Sequence, residues 1–368
     1  MSFPFLPSNG ARPGHSILIT LVAATLGGGL FAALGLPAAW MSGALVAAAV
    51  LAMLGFEVDL PEGLRRAAFL VLGISMGTAV RPETLAGMRA WPISLAVLVV
   101  SVAATIAAVT FYLRRVAGWD GRTAFYASAP GALTSVLALA AQDAADVRRV
   151  AFAQAVRLFV LIAALPGTLT VLGLASPQAI ATAAPAAGSI GIGAAGEIAL
   201  MAIAGIAGGL AAERLWIPGG LVFGAMIASA SLHGSGLIAA PLPQPVLIPC
   251  FIVLGAAIGG RFAGTNMATL RHFLLASLGA FAVACAVSVA LALAAATLSG
   301  EGIGKTIVAF APGGLEAMSI LAFAIGLDPA FVAAHHLVRF LLIALFLPIV
   351  VRIVLGAPPA ADEAGPPK

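Results

Sequence analysis

The sequence predicts an all-α polytopic membrane protein with two inverted repeats of five transmembrane helices, each repeat containing a re-entrant hairpin broken by Pro-Gly. Three observations predict this fold: the composition, an internal repeat and the distribution of loop cations. The chain of 368 residues is 62% hydrophobic and 9% charged, whereas soluble domains carry about 25% charged residues. It therefore belongs in a membrane, where each helical crossing needs about 20 residues.

The apolar runs predict ten spans and two further apolar segments that contain a Pro-Gly break. The broken segments are 123–142 and 305–326. The spans at 66–80, 217–232 and 246–261 are short, so we expect either that neighbouring helices shield them or that their ends extend past these bounds. The ten spans are 16–34, 37–54, 66–80, 91–113, 149–173, 195–213, 217–232, 246–261, 273–298 and 330–351.

An internal repeat covers almost the whole chain. Ala129-Pro130-Gly131 recurs as Ala311-Pro312-Gly313, and Val156-Arg157 recurs as Val338-Arg339, in both cases 182 residues later. The repeat predicts a tail (1–15), repeat 1 (16–174), a linker (175–194), repeat 2 (195–355) and a disordered tail (356–368).

Loop cations favour inverted over parallel repeats. Of the 18 Lys and Arg, Arg157 and Arg339 lie deep within spans, which leaves 16 in loops or at the ends of spans and broken segments. If both broken segments cross the membrane, nine of the 16 lie on one side and seven on the other. If both are re-entrant hairpins, the split becomes thirteen to three. The hairpin arrangement has the stronger bias, and it places both termini in the cytoplasm and the linker outside.

The Pro-Gly breaks are the strongest candidates for a binding site. Non-helical backbone at membrane depth is tolerated where it is buried in protein or lines a wet cavity. Proline removes a donor and glycine lets the chain turn, so two half-helices can meet there. The helix start near Ala132 or Gly314 would then carry partial positive charge that suits an anion. A helix kink or a tight packing point is the alternative, and the duplication favours a site.

Arg157 and Arg339 are charges inside apolar spans, where each costs about 2.5–3.5 kcal/mol on insertion scales and needs a partner. Each could hold carbonyl groups freed by a break, or grip a carboxylate or another oxyanion with two bonds. Glu316 stands where repeat 1 has Thr134. We therefore expect Glu316 to pair with Arg339 or to carry a coupling proton, and Arg157 to bind a substrate anion.

Further polar residues accompany the breaks. Gln154 and His336 are repeat equivalents, each three residues before its arginine and on the same helical face. His336 could relay a proton or be a hydrogen-bonded structural residue. Thr134, Ser135 and Ser319 could line the cavity or bond to the local backbone. The predicted substrate-binding set is Arg157, Arg339, Glu316, Pro130, Gly131, Ala132, Thr134, Ser135, Pro312, Gly313, Gly314, Gln154 and His336.

Other polar and glycine positions have structural interpretations. Asp146 and Asp328 precede predicted spans, and Pro329 follows Asp328, a pattern typical of helix N-caps. The glycine pairs 27–28 and 208–209 are expected to allow close helix packing. No Cys cluster, His pair at metal spacing, phosphate loop or nucleophile elbow is present. We therefore expect no enzymatic activity, no metal, no cofactor and no direct contact with nucleic acid.

The paired hairpins 130–133 and 312–318, each followed by Val-Arg at 156–157 and 338–339, resemble the membrane AbrB family over about residues 16–355. Members of that family also carry the names ammonia monooxygenase and transcriptional regulator. The family is similar in outline to inverted-repeat carriers of the sodium/proton antiporter and bile-acid or glutamate symporter group. The resemblance implies an inner-membrane protein of transport ancestry, linked in some members to control of gene expression.

These inferences lead to two candidate functions. The first is an inner-membrane secondary transporter of a small organic anion, working by alternating access between the two halves and coupled to H⁺ or Na⁺. The second is a membrane-embedded ligand sensor that affects gene expression indirectly. The expected partners are the lipid bilayer, a small-molecule anion and a coupling H⁺ or Na⁺, with a homodimer left open.

Overall fold

A computed structural model describes residues 13–78, 88–131, 133–143, 145–175, 192–235, 237–238, 240–263 and 267–355. Within these ranges the protein consists of helices and their connections, without β-strands. Ala132, most of the predicted linker, most of the N-terminal tail and the whole C-terminal tail lie outside the described residues.

The described residues form seven α-helices in each predicted repeat, and the long and short helices follow each other in the same order in both repeats. Repeat 1 contains α1 (Pro13–Ala33), α2 (Ala39–Met53), α3 (Glu62–Gly77), α4 (Trp91–Arg115), α5 (Gly121–Ser128), α6 (Leu133–Gln142) and α7 (Val147–Val171). Repeat 2 contains α8 (Ile192–Arg214), α9 (Gly220–Gly234), α10 (Gln244–Gly259), α11 (Met267–Ser299), α12 (Ile303–Phe310), α13 (Leu315–Ala324) and α14 (Pro329–Leu355).

Seven of these helices are long and apolar enough to cross a membrane: α1, α4, α7, α8, α10 with its 3₁₀ extension, α11 and α14. The other three predicted spans, α2, α3 and α9, contain 15 or 16 residues. At 1.5 Å per residue they are about 24 Å long or less, which is shorter than the hydrocarbon layer of about 30 Å. The fold is that of a multi-pass helical membrane protein.

The helices pack in two groups, and each repeat contributes to both. The six-helix bundle contains α1–α3 and α8–α10. The eight-helix bundle contains α4–α7 and α11–α14, and therefore holds both Pro-Gly breaks. Contacts of α2 with α7 join the bundles, and there the Ser42 hydroxyl donates to the Ile162 carbonyl at 2.8 Å.

Glycines bring the two repeats into backbone contact within the six-helix bundle. A Cβ added at Gly255 of α10 would lie 2.3 Å from the Met41 carbonyl oxygen of α2, and one at Gly259 would lie 2.5 Å from that of Leu45. The contact advances in the same direction along both helices, so α2 and α10 run parallel. Helices α3 and α9 pack through glycines of α3 in the same parallel sense.

The predicted role of the other glycine pairs is confirmed. A Cβ added at Gly27 of α1 would lie 2.5 Å from the carbonyl oxygen of Gly43 in α2. In repeat 2, one at Gly208 of α8 would lie 2.6 Å from that of Gly224 in α9. Each repeat therefore opens with two helices that touch along their backbones.

The two ends of the first broken segment are in contact. The Arg122 guanidinium, at the start of α5, pairs with the Asp143 carboxylate just after α6. The Tyr126 hydroxyl donates to the other oxygen of Asp143 at 3.1 Å, and the Asp146 amide donates to the Thr123 hydroxyl at 2.8 Å. These contacts hold the two ends of the α5–α6 segment together.

The start of the second broken segment contacts the helix that follows the segment. Lys305 Nζ, at the start of α12, lies 4.9 Å from the ring centroid of Phe331 in the first turn of α14.

Both predicted helix caps are confirmed. Asp328 Oδ1 accepts hydrogen bonds from the amides of Ala330 and Phe331 at 3.0 and 3.1 Å. Burial raises the pKa of Asp328, although these bonds act in the opposite direction. Asp146 caps α7 in the same way.

We predict that the ends of each broken segment are accessible from one face of the membrane. Single cysteines at Val116 and Gln142 should react with an impermeant maleimide from the same face, and cysteines at Gly302 and Leu327 from the opposite face. The background should lack both native cysteines. Labelling of Val116→Cys and Gln142→Cys from different faces would mean that the segment crosses the membrane.

A methyl group at Gly255 should separate α2 from α10. Gly255→Ala is expected to lower the free energy of unfolding by about 1–3 kcal/mol, the usual effect of overpacking, and to lower the melting temperature in detergent. Gly63→Ala is the control, because a Cβ there has no neighbour within 4 Å. Equal melting temperatures for the two variants would contradict the proposed backbone contact.

Candidate functional site

The two Pro-Gly breaks meet inside the eight-helix bundle. The chain leaves the helical conformation at Pro130-Gly131 and at Pro312-Gly313-Gly314, and both prolines are buried. Gly131 has a φ of 89°, in the left-handed region that favours glycine. A Cβ placed on Gly131 would lie 3.7 Å from the Gly313 carbonyl oxygen. The predicted interruptions are present, and their tips are neighbours.

Arg339 holds the second break together. It is 2% exposed and lies ten residues beyond Pro329, the first residue of α14, which is about 15 Å along the helix. Its Nη1 donates to the Ala311 carbonyl at 2.6 Å and its Nη2 to the Gly313 carbonyl at 2.7 Å. Nη2 also contacts His336 Nδ1. These bonds match the structural one of its two predicted roles, because they engage carbonyl groups that the break leaves without helical partners.

His336 completes this structural network. Its Nε2 lies 3.0 Å from the Val308 carbonyl oxygen, so Nε2 carries the hydrogen that this acceptor requires. Its Nδ1 then accepts a hydrogen from Arg339. Both ring nitrogens of the neutral imidazole are engaged, and a second proton would oppose the guanidinium. The geometry therefore favours the hydrogen-bonded alternative over a proton relay.

Arg157 makes the equivalent connection to the first break, with fewer bonds. Its Nη2 donates to the Ala129 carbonyl at 3.3 Å and to Gln154 Oε1 at 3.2 Å. Each arginine thus binds the carbonyl 28 residues before it. Arg157 Nε and Gln154 Nε2 are buried and have no hydrogen-bond partner among the described residues. An unpaired buried donor costs about 1–3 kcal/mol, and a ligand with acceptor oxygens would remove that cost.

The expected ion pair between Glu316 and Arg339 is not formed. Arg339 directs its donors at backbone carbonyls, whereas Glu316 lies in the first turn of α13 and lines a cavity of about 390 Å³. Asp59, Arg65 and Arg261 line the same cavity, and Arg261 attracts Glu316 electrostatically. We call this space the charged cavity. It lies between α3 and α10 of the six-helix bundle and α13 of the eight-helix bundle.

The remaining predicted site residues are hydroxyl-bearing or close to the first break. Ala132 lies outside the described residues. Thr134 and Ser135 lie in the first turn of α6, where the structure describes the backbone but not their side chains. The Ser319 hydroxyl donates to the Leu315 carbonyl at 2.8 Å. This is the bond to the local backbone that the sequence allowed as the alternative to a cavity-lining role.

Sequence reasoning did not identify two features of the site. Cys285 of α11 lies within electrostatic reach of Arg157, but its repeat equivalent is Ala103, so the repeat does not mark it. The charged cavity brings together side chains that are up to 257 residues apart, from Asp59 to Glu316. Their opposite charges near helix ends were the available signal.

The part of the chain that matches a known protein family includes all the site residues described above. The sequence matches the family model described as "Transition state regulatory protein AbrB" over residues 40–355. The chain belongs to the AbrB family. The match runs from α2 to α14 and includes both breaks and both buried arginines.

Two relatives share nearly the full length of this AbrB-family chain. It is 29% identical over 330 residues to "Putative regulator AbrB" of Escherichia coli (strain K12), covering 88% of this chain and 92% of that protein. It is 22% identical over 347 residues to "Uncharacterized protein YhjN" of Bacillus subtilis (strain 168), covering 89% and 90%. In the described part of this AbrB-family protein, no three His, Cys, Asp or Glu side chains are grouped as metal ligands.

The two arginines of this AbrB-family protein should differ in their effect on stability. Arg339→Ala is expected to lower the free energy of unfolding by about 3 kcal/mol or more, because hydrogen bonds to charged groups contribute about 1.5–3 kcal/mol each. Arg157→Ala should have a smaller effect, because its bonds are longer and its Nε has no partner in the part of the chain that the structure describes. Thermal unfolding in detergent measures both, and a larger loss for Arg157→Ala would contradict this assignment.

Proposed function

We propose that this AbrB-family protein is an inner-membrane secondary transporter of a small organic anion. The observation that carries the proposal is a pair of buried donors, on Arg157 and Gln154, that have no partner among the described residues and lie beside a break in the helical backbone. A guanidinium with free N–H groups can grip a carboxylate with two charge-assisted bonds. A buried cation without a carboxylate partner also favours an anionic ligand over a neutral one.

The start of α13 adds to the positive character of this site. Gly314 precedes α13 and provides no side-chain cap, so amides of the first turn remain available to a ligand. A Cβ added at Gly314 would lie 3.5 Å from Leu158 Cδ2. The turn of α7 that carries Arg157 therefore packs against the start of α13, and both can act on one anion.

Helix directions support the inverted-repeat arrangement of this transporter. If the two halves had the same orientation, α10 would run like its equivalent α3 and opposite to α2. The glycine contacts instead make α2 and α10 parallel, which favours opposite orientations. The contact between Arg122 and Asp143 favours a re-entrant hairpin for α5–α6. Together with the loop cations, these observations support ten crossings with both termini in the cytoplasm.

The packing also suggests which parts would move. Each bundle contains helices from both repeats, so alternating access would displace the eight-helix bundle against the six-helix bundle rather than one repeat against the other. The charged cavity lies at this seam and reaches Glu316 at the start of α13. It offers an access route to the breaks, and Glu316 is the candidate for binding a coupling H⁺ or Na⁺.

Uptake of small carboxylates into proteoliposomes tests this proposal. We expect one or more members of a panel to be transported by the wild type. Arg157→Ala should reduce uptake about 10- to 150-fold, the equivalent of one hydrogen bond to a charged group. Arg157→Lys should recover part of it, since an ammonium keeps the charge but lacks the planar fork.

The controls separate the transporter from the alternative. Arg148→Gln removes an exposed arginine from the same helix and should leave uptake unchanged. The name of the Escherichia coli relative, "Putative regulator AbrB", favours a membrane ligand sensor as the second candidate. A carboxylate that stabilises the wild type against unfolding without being transported would support the sensor and refute the transporter.

A further inference from the structure

An apolar groove runs between α4 of repeat 1 and α14 of repeat 2, away from the candidate anion site. Its volume is about 690 Å³, within the range of about 300–1,000 Å³ that is usual for ligand sites. Phe125 and Leu347 line its buried floor, whereas Phe111 and Phe346 are 65% and 52% exposed at its edge. The groove is therefore open to the surroundings of the helices.

The groove is long enough to hold an extended acyl chain. Along α4 its lining runs from Val99 to Arg115, a length of about 24 Å at 1.5 Å per residue. That is most of the hydrocarbon thickness of about 30 Å. Small side chains such as Ala103 and Ala107 leave the space between the two helices unfilled.

Positive charge is confined to one end of this groove. Arg114 and Arg115 belong to the last turn of α4, and both line the groove and are exposed. Neither forms an ion pair with a carboxylate of the described residues, whereas Arg122 nearby in sequence pairs with Asp143. Their counter-charge can therefore come from outside the protein.

We propose that this groove is a binding site for an anionic phospholipid. An acyl chain lies between α4 and α14, and the phosphate contacts Arg114 and Arg115. A second copy of the chain is a poorer occupant. A twofold axis along the membrane normal would bring both arginine pairs to the same level, where like charges repel.

The bound lipid would contact the elements that carry the candidate site. Phe125 belongs to α5, the first half of the broken segment, and Ile343 follows Arg339 by one turn of α14. An occupied groove supports both elements from the lipid side. The lipid would therefore stabilise the eight-helix bundle, whether or not the protein transports an anion.

Native mass spectrometry of the detergent-purified protein tests this inference. With equal amounts of phosphatidylglycerol and phosphatidylcholine added, we expect the wild type to retain phosphatidylglycerol preferentially. The double variant Arg114→Gln/Arg115→Gln should bind it about 30-fold more weakly, since each basic side chain near the surface contributes about fivefold. Ala107→Trp, which fills the groove, should reduce retention of both lipids.

Matched variants distinguish the groove from general effects. Arg148→Gln removes an exposed arginine elsewhere, and Ala207→Trp enlarges an exposed alanine on α8. Both should retain lipid like the wild type, and all variants should keep the wild-type elution profile and melting temperature without lipid. Equal retention of the two lipids by the wild type, or unchanged retention by the arginine double variant, would overturn the proposal. So would conversion of a dimer to a monomer by Ala107→Trp with lipid retention unchanged.

Discussion

The carbonyl groups freed by the two Pro-Gly breaks are the constraint on which this structure depends. In a low-dielectric interior, backbone acceptors without donors are costly, and each repeat meets that cost with one arginine on the following long helix. Arg339 binds two such carbonyls at 2.6 and 2.7 Å, and Arg157 binds one at 3.3 Å. The same interaction has thus been retained in both repeats, with different numbers of bonds.

This inequality separates the structural contacts of Arg339 from the binding role proposed for Arg157. In repeat 2 the guanidinium and the imidazole of His336 satisfy each other and the local backbone. In repeat 1 the equivalent residue is Gln154, and neither its amide nitrogen nor Nε of Arg157 has a hydrogen-bond partner among the described residues. Duplication supplies two similar environments, and the substitution of one residue leaves donors available in one of them. A site for an anion can arise in this way without any new element of structure.

Much of the fold was predictable because the apolar runs and the 182-residue repeat can be recognised directly in the sequence. The breaks, the caps Asp146 and Asp328 and the glycine contacts follow from the conformational preferences of Pro, Asp and Gly. The surroundings of Glu316 were not predictable in this way, because they depend on the packing of α13 against α3 and on the charged cavity, which α10 also lines. The two-bundle division also depends on contacts between helices that are far apart in sequence. The sequence indicated which residues matter near the breaks, and the structure assigned Arg157 and Arg339 different neighbours.

The short helices α2, α3 and α9 have a consequence for the electric field across the protein. A membrane potential falls over the low-dielectric path between the two aqueous phases, and a shorter path makes the field steeper. The charged cavity adjoins α3, so Glu316 lies beside one of these short helices. Moving one elementary charge through the full potential is worth about 2.3 kcal/mol per 100 mV. A charge that moves at the seam between the two bundles would take up a share of that energy.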